Sequence, residues 1–305
     1  MANRLISMTS SQIKKLSSKQ LLEAIKLSEG RVLAAETVST LQPLLFDVSN
    51  AELASSLSAD ILILNVYDVD KPLVQGLPEH DAKDTIKLLK QLTGRVIGIN
   101  LEPVDEKAGD DKLWKMSKGR MATAENALKA KKQGVDIIVI TGNPGNHVTN
   151  KAICKAIKEI RKELGDDIVL ITGKMHASGE VKEAGENIIT KKDIKQFVDA
   201  GADIILLPAP GTIPGITLDY ICELISYIHS LDKLAMTSIG TSQEGSDTDT
   251  IKNIALNCKM AGADIHHIGD SGYLGVALPE NIMAYSIAIR GVRHTYYSMA
   301  KSINR

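Results

Sequence analysis

The chain has 305 residues, of which 44% are hydrophobic and only 3% aromatic, so a large core can be built mainly from aliphatic side chains. Its 36 Lys and Arg residues nearly balance its 37 Asp and Glu residues, and it has no long basic run, which argues against a nucleic-acid partner. No segment has the apolar length of a signal peptide or a membrane span, so we expect a cytosolic protein without a membrane partner.

An apolar run, a polar or Gly-rich stretch and an amphipathic helix alternate eight times along the chain. The predicted strands begin at Arg31, Asp60, Arg95, Val135, Asp167, Asp203, Lys233 and Asp264. Strands that are apolar on both faces and alternate with helices are typical of a parallel sheet covered by helices. Eight such units predict a closed (β/α)8 barrel that occupies residues 1–305 as one domain. Residues 1–30 form an N-terminal helical extension, whose helix from Ser18 is expected to close the barrel floor.

Four of the predicted strands open with nearly the same phrase. The phrases are LSADILIL from Leu57, QGVDIIVI from Gln133, AGADIILL from Ala200 and AGADIHHI from Ala261. In each, a helix ends and an Asp opens a strand, and three of the four have Gly at the helix end, where a left-handed residue is needed. The three cysteines, Cys154, Cys222 and Cys258, fall singly within helical patterns, so we expect them to pack in the core.

Polar residues cluster where the predicted strands end, which is where barrels of this kind place their active sites. Alternation along the third strand directs Asn100 and Glu102 into the barrel, and Glu36 ends the first strand. The strand ends also supply Asn65, Thr141 and Asn143 as candidate substrate-binding residues, together with His266 and Asp270.

The fifth strand carries the leading catalytic candidate, Lys174, on the same face as Thr172 and His176. Lys174 would either anchor an anionic group or form a Schiff base with a carbonyl substrate, while Glu36, Glu102 or His176 would move protons. A salt bridge between Glu102 and Lys174 is the structural alternative.

The eighth strand contains adjacent histidines, His266 and His267, which must face opposite sides of the sheet. The inward one adjoins Glu36 in a closed barrel, and His267 is the one we assign to catalysis. A divalent metal held by Glu36, Glu102, His176 and one of these histidines is a further option, although their spacing matches no metal motif.

The loops after the seventh and eighth strands are rich in Gly and Ser and precede helices, so they are candidates for a phosphate cradle. The cradle residues are Gly240, Thr241, Ser242, Gly269, Ser271 and Gly272. Short turns also need Gly and Ser for structural reasons, and Glu244 and Asp270 argue against an anion unless a metal or Lys intervenes.

Two loops exceed the length that a connection requires and are predicted to cover the barrel mouth. The first, from Glu102 to Thr123, contains Trp114, the only Trp of the chain, and the second runs from His176 to Thr190.

A competing interpretation rests on Asp68 and Asp70, which follow the second strand as a DxD pair. The pair resembles the nucleophile motif of haloacid dehalogenase-type phosphatases, in which the first Asp attacks phosphorus. Pro72 stands where that family usually has Thr or Val, and the motif would lie on the second of eight repeats.

Five longer segments span nearly the entire chain: SEGRVLAAETVSTLQPLLFDVSNAELA from Ser28, NLEP from Asn100, TGNPGN from Thr141, TGKMH from Thr172 and HHIGDSGYLG from His266. In these segments the chain resembles a bacterial family of single-domain TIM barrels of no settled activity. Members are labelled haloacid dehalogenase-like hydrolases or relatives of phosphoenolpyruvate phosphonomutase. The resemblance implies the barrel but assigns no catalytic residue, and the clustered aspartates of the mutase relatives are missing here.

These features together predict an enzyme that acts on a small anionic, phosphorylated metabolite with lyase or aldolase-like chemistry. A phosphohydrolase using Asp68 and Asp70, and a non-catalytic ligand-binding barrel, are the alternatives. The oligomeric state, including a homo-oligomer, stays open.

Overall fold

The computed structural model describes residues 3–103, 116–141, 148–175 and 185–305. Eight parallel strands hydrogen-bond in chain order, and β8 pairs with β1 to close the barrel, which confirms the predicted (β/α)8 fold. The strands are β1 Val32–Val38, β2 Ile61–Asn65, β3 Val96–Leu101, β4 Ile137–Ile140, β5 Val169–Gly173, β6 Ile204–Pro208, β7 Leu234–Ile239 and β8 Ile265–Ile268.

Ten α-helices lie within the described ranges. They are α1 Ser10–Ile13, α2 Ser18–Lys26, α3 Asn50–Ser56, α4 Thr85–Thr93, α5 Ala124–Gln133, α6 Asn150–Leu164, α7 Lys191–Ala200, α8 Leu218–Ser230, α9 Thr248–Ala261 and α10 Pro279–Ala300. Several begin after a Ser, Thr or Asp whose side chain accepts the N–H of the third helical residue, as Thr149 does for α6 and Asp247 for α9. None of the described helices is long and apolar enough to cross a membrane.

The core has an inner layer within the barrel and an outer layer between the barrel and its helices. Ile97, Ile99 and Leu101 of β3 belong to the outer layer, as the alternation predicts. Leu21 and Ile25 of α2 pack with the inner strand residues, so α2 closes the barrel floor, as predicted. The three cysteines are free and lie in or against the outer layer.

At each even-numbered strand, the Asp of the repeated sequence forms the same pair of hydrogen bonds to the preceding strand. Asp60 donates its backbone N–H to the carbonyl of Leu33 at 2.8 Å and accepts the N–H of Leu33 on its carboxylate at 2.9 Å. The same pair of bonds joins Asp136 to Ile97, Asp203 to Leu170 and Asp264 to Ala235. Each carboxylate also meets a basic side chain, in order Arg290, Lys90, Arg161 and His229. We call these four residues the strand-opening aspartates.

Candidate active site

The carboxyl ends of the strands surround a cavity of about 290 Å³ at the barrel mouth. Its described lining consists of Glu36, Asn65, Val66, Asn100, Glu102, Arg120, Thr141, Met175, Gly240, Glu244, Gly269, Asp270 and Ser271. Residues from distant parts of the sequence therefore meet at one space. Most of this set was predicted from strand ends, but Val66, Arg120, Met175 and Glu244 were not proposed as site residues.

A hydrogen-bonded chain crosses the seam between β8 and β1 at the cavity floor. His267 Nε2 lies 3.0 Å from Glu36 Oε2, and Ser238 Oγ lies 2.7 Å from His267 Nδ1. In a neutral imidazole, Nε2–H then donates to Glu36 and Nδ1 accepts from Ser238. Asn100 Nδ2 donates to the other oxygen of Glu36. Glu36 is therefore held at both carboxylate oxygens, and His267 is the inward histidine.

Asp270 lies on the β8 side of the cavity, where Asn65 Nδ2 donates to its Oδ2 at 2.8 Å. Burial, followed by the nearby Glu36 carboxylate, raises the pKa of Asp270 to about 7. The bond from Asn65 and the proximity of His267 lower this pKa, while Glu244 raises it further. Asp270 can therefore exchange a proton near neutral pH.

Glu244 is fully buried beside Asp270, and within the described ranges neither of its carboxylate oxygens has a hydrogen bond of ordinary geometry. Burial raises the pKa of Glu244, although backbone N–H groups and His267 lie close enough to oppose this change. A Cβ atom at Gly269 would lie 2.4 Å from Glu244 Oε1, so glycine at this position leaves the space for the carboxylate.

Val66 holds a strained backbone conformation where β2 meets the cavity. Its φ is 62°, a left-handed value that is unfavourable for a β-branched residue, and its N–H donates to Asn65 Oδ1 at 2.8 Å. Strain of this kind costs about 1–3 kcal/mol and clusters at functional sites. It fixes the direction of Asn65, which in turn holds Asp270.

Arg120 enters the cavity from the returning part of the long loop after β3. Its Nη2 lies 2.6 Å from Glu102 Oε1, and the Asn126 side chain fixes this segment by donating to the carbonyls of Lys118 and Met121. Glu102 therefore meets Arg120, a pairing that the sequence analysis did not consider. The rest of the predicted lid, including Trp114, and most of the second long loop lie outside the described residues.

Lys174 is buried but does not belong to the cavity lining. On β5, Val169 and Ile171 face inward, whereas Leu170 faces the helices. The neighbouring Met175 takes the inward phase and lines the cavity. Thr172 therefore lies on the outer face, and the catalytic role of Lys174, which follows the end of β5, stays a prediction. His176 and Asn143 lie outside the described residues.

His266 also faces outward, so it is not a substrate-binding residue of this cavity. Its Nε2 lies 3.0 Å from the carbonyl oxygen of Gly30, and its ring packs against Tyr285. Complete burial lowers the pKa of His266 to about 4, so the imidazole is neutral at physiological pH.

The predicted phosphate cradle is only partly assembled. Gly240, Gly269 and Ser271 line the cavity, but Thr241 donates to the carbonyl of Thr212, and Ser242 starts a short 3₁₀ turn over 243–245. Gly272 faces the backbone of residues 276–278. The N-terminus of α9 is already capped by the carboxylate of Asp247, which accepts the N–H of Thr250 at 2.8 Å.

The DxD pair serves a turn outside the cavity. Asp68 Oδ1 accepts the N–H of Asp70 at 2.8 Å, and Asp70 Oδ1 lies 2.8 Å from Lys129 Nζ. A Cβ at Gly119 would meet Asp68 Oδ1 at 1.8 Å, so the turn packs tightly on the loop after β3. The closed barrel also differs from the doubly wound sheet on which the phosphatase motif works.

No metal centre is apparent among the described residues, because no group of three or more His, Cys, Asp or Glu side chains is arranged to hold an ion. Of the proposed ligands, Glu36 instead contacts His267 and Asn100, and Glu102 contacts Arg120.

Some site residues were not predicted from the sequence, and they differ in whether a sequence pattern indicates them. Ser238 could have been found, because Met236 faces inward on β7 and positions 238 and 240 share its phase. Glu244 and Arg120 carry no such signal, since both lie in loops.

The fold and site define a (β/α)8 barrel with a cavity where enzymes of this architecture act, and the charged residues of its described lining are mostly acidic. The chain belongs to the family described as Domain of unknown function (DUF7916), which matches residues 6–305. The sequence has no detectable match among curated proteins.

Solved structures of similar architecture include lyases and aldolases. An archaeal fructose 1,6-bisphosphate aldolase is 11% identical with a TM-score of 0.55, the match covering 88% of this chain and 98% of that one. A Schiff base-forming fructose-1,6-bisphosphate aldolase is 12% identical with a TM-score of 0.54, covering 88% and 99%. A 2,3-dimethylmalate lyase of the PEP mutase/isocitrate lyase superfamily is 13% identical with a TM-score of 0.51, covering 86% and 81%. At these identities the similarity shows the fold alone.

Proposed function

We propose that this protein is an enzyme of lyase or aldolase type, in which carboxyl groups at the barrel mouth exchange protons with a small polar substrate. The observation that carries the proposal is the pair formed by Asp270, with a pKa of about 7, and Glu36, held by His267 and Asn100 in the same cavity. A protonated carboxyl beside an ionised one supplies both an acid and a base, which cleavage of a carbon–carbon bond requires.

Each residue has a role in this proposal. Glu36 takes the proton from a substrate hydroxyl as the carbon–carbon bond breaks and the electrons of that bond form an enolate. Protonated Asp270 donates a hydrogen bond to the enolate oxygen. The proton that Glu36 took then passes to the enolate carbon, directly or by exchange with water, which completes the reaction and regenerates the base. His267 and Ser238 are positioning residues, because they contact Glu36 directly or through the imidazole.

This assignment does not use a Schiff base at Lys174, because Lys174 is not part of the described cavity lining. The fold shared with aldolases supports carbon chemistry at the mouth but not a particular nucleophile. The phosphorylated substrate and the cytosolic location stay predictions, and the oligomeric state stays open.

Exchange of solvent hydrogen tests the proposal with a broad panel of compounds in place of a single substrate. The protein is incubated in D₂O with mixtures of hydroxy acids, keto acids, sugars and amino alcohols, and NMR detects deuterium at carbon or new products. We expect activity to fall at least about 100-fold in both Glu36→Gln and Asp270→Asn, in the range for loss of one acid–base group. The exposed Glu159→Gln on α6 serves as the control and should keep full activity.

Three results decide the matter. Loss in both cavity variants with an intact control supports the acid–base assignment, and full activity in both contradicts it. A ligand that binds in the cavity but shows neither exchange nor conversion favours the non-catalytic barrel.

A further inference from the structure

The cavity has more acidic groups than basic ones. Four lining residues are acidic, namely Glu36, Glu102, Glu244 and Asp270, and the only basic residue in the described lining is Arg120, which already contacts Glu102. The described lining therefore supplies no excess of positive charge for an anionic ligand.

Buried hydrogen-bond acceptors in the cavity lack donors. Neither oxygen of Glu244 has a hydrogen bond of ordinary geometry among the described residues, although its side chain is completely buried and lines the cavity. Asn100 Oδ1 is likewise buried and without a partner in the described ranges, because the Asn100 amide is turned so that Nδ2 donates to Glu36. Unsatisfied buried acceptors are costly, so a ligand that brings N–H donors is favoured here.

We propose that the cavity recognises the protonated amino group of a small amine substrate through Glu244 and Asn100, which lie beside Asp270 in the same lining. An ammonium group carries three N–H donors and no acceptor, which complements a site of acceptors and negative charge. The inference rests on the proposed function, because it takes this cavity to be the active site. It reverses the expectation of an anionic substrate that the Gly- and Ser-rich loops raised.

A divalent cation fits the described geometry less well than an organic amine. Mg²⁺ requires several oxygen ligands that converge on one point at about 2.1 Å. The described acidic side chains form no such group of three. An amine with neighbouring hydroxyls presents donors at several points, so it can reach acceptors that are spread around the cavity.

Calorimetric binding of compounds that differ mainly in charge tests the inference. The first set is 2-amino-1,3-propanediol, glycerol and glycerol 3-phosphate, and the second is glucosamine, glucose and glucose 6-phosphate. We expect the amine of at least one set to bind at least tenfold more tightly than its neutral and phosphorylated counterparts. Glu244→Gln should remove this preference, whereas Glu159→Gln should keep it, and thermal melting verifies that both variants are folded.

Proton linkage gives a second readout, measured at pH 7 in buffers of different ionisation enthalpy. A bound ammonium lowers the pKa of Asp270 and releases part of the half proton that a group with a pKa of about 7 holds at pH 7. The fraction of Asp270 that stays protonated remains the acid of the proposed reaction. A bound anion raises that pKa and takes protons up. Asp270→Asn should abolish the release. The other titratable groups around Asp270 are Glu36, Glu244 and His267, and they are unchanged in this variant.

The outcomes separate this inference from the proposed function. Absence of amine preference in both sets, proton uptake on binding, or tighter binding of Mg²⁺ alone would each overturn the amine site. The proposed acid–base function would still stand after those results if solvent exchange depends on Asp270. Amine binding without any exchange would instead leave the recognition site standing and remove the catalytic proposal.

Discussion

His267 Nε2 lies 3.0 Å from Glu36 Oε2 across the seam where β8 closes the barrel onto β1. Because strand closure brings the two residues together, the catalytic base that we propose depends on a neighbour from the opposite end of the chain. We expect His267→Leu to lower kcat of the exchange reaction by about tenfold or more, with a smaller effect on KM. His267→Gln keeps an N–H donor for Glu36 and should restore part of kcat.

The comparison of these two variants identifies His267 as a positioning residue. Steady-state kinetics over a range of pH values provides the measurement. Equal losses in the Leu and Gln variants would argue against a role through the bond to Glu36.

Asp270 should make the folded protein less stable as the pH rises. Its pKa is about 7 in the folded chain and 3.8 for an ordinary Asp, so between these values the folded state holds a proton that the unfolded state has lost. The free energy of unfolding therefore falls from about pH 4 to pH 7, by at most about 4 kcal/mol. We expect Asp270→Asn to be more stable than the native chain at pH 8 and equally stable at pH 4. Urea unfolding at both values checks this, and an Asn variant that is less stable at pH 8 would contradict it.

His266 should have the opposite effect on the pH dependence. Its pKa is about 4 when folded and 6.5 ordinarily, so in this window the unfolded chain binds a proton that the folded chain does not. The free energy of unfolding therefore falls as pH decreases from about 6.5 to about 4, by at most about 3 kcal/mol. His266→Gln should reduce this acid sensitivity. Unfolding curves at pH 7 and pH 4.5 provide the test, and identical slopes for both proteins would rule out the assigned burial.

Lys174 should not form a covalent adduct with a carbonyl substrate. Because Lys174 is not part of the described cavity lining, borohydride reduction with pyruvate or dihydroxyacetone should leave its peptide unmodified. Peptide mass spectrometry measures the result. A reduced adduct at Lys174 would restore the Schiff-base mechanism, and Lys174→Arg should otherwise keep the exchange activity.

The contrast between Lys174 and Asn100 shows how far the sequence can predict such a site. On β3 the inward positions are Gly98 and Asn100, so the polar phase is visible beside three apolar outward residues. On β5 both phases are apolar from Val169 to Ile171, because a parallel strand buried on both faces shows little alternation. The sequence could therefore group Lys174 with Thr172 but could not tell which face they share.

The loop residues of the site could not be predicted from local sequence patterns, for a different reason. Glu244 is fully buried in a 3₁₀ turn because Gly269 of the next loop leaves space for its carboxylate. That contact is tertiary, and no periodic pattern encodes it. The strand-opening aspartates, by contrast, repeat in sequence because each makes the same two bonds to the preceding strand.

The ion pairs of the strand-opening aspartates should differ in energetic weight according to burial. The Arg290 side chain has no exposed surface and lies 2.5 Å from Asp60 Oδ2, whereas Lys90 and Asp136 are 19% and 27% exposed at 2.6 Å. Removing one partner of a buried pair leaves an uncompensated charge, so Arg290→Met should lower the free energy of unfolding by about 3–5 kcal/mol. Lys90→Met should cost less than about 1 kcal/mol, since water screens the remaining carboxylate. Adding Asp60→Asn to Arg290→Met removes the buried charge and should recover part of the loss. Denaturant titration of the four proteins measures these differences, and equal costs for Arg290→Met and Lys90→Met would contradict the dependence on burial.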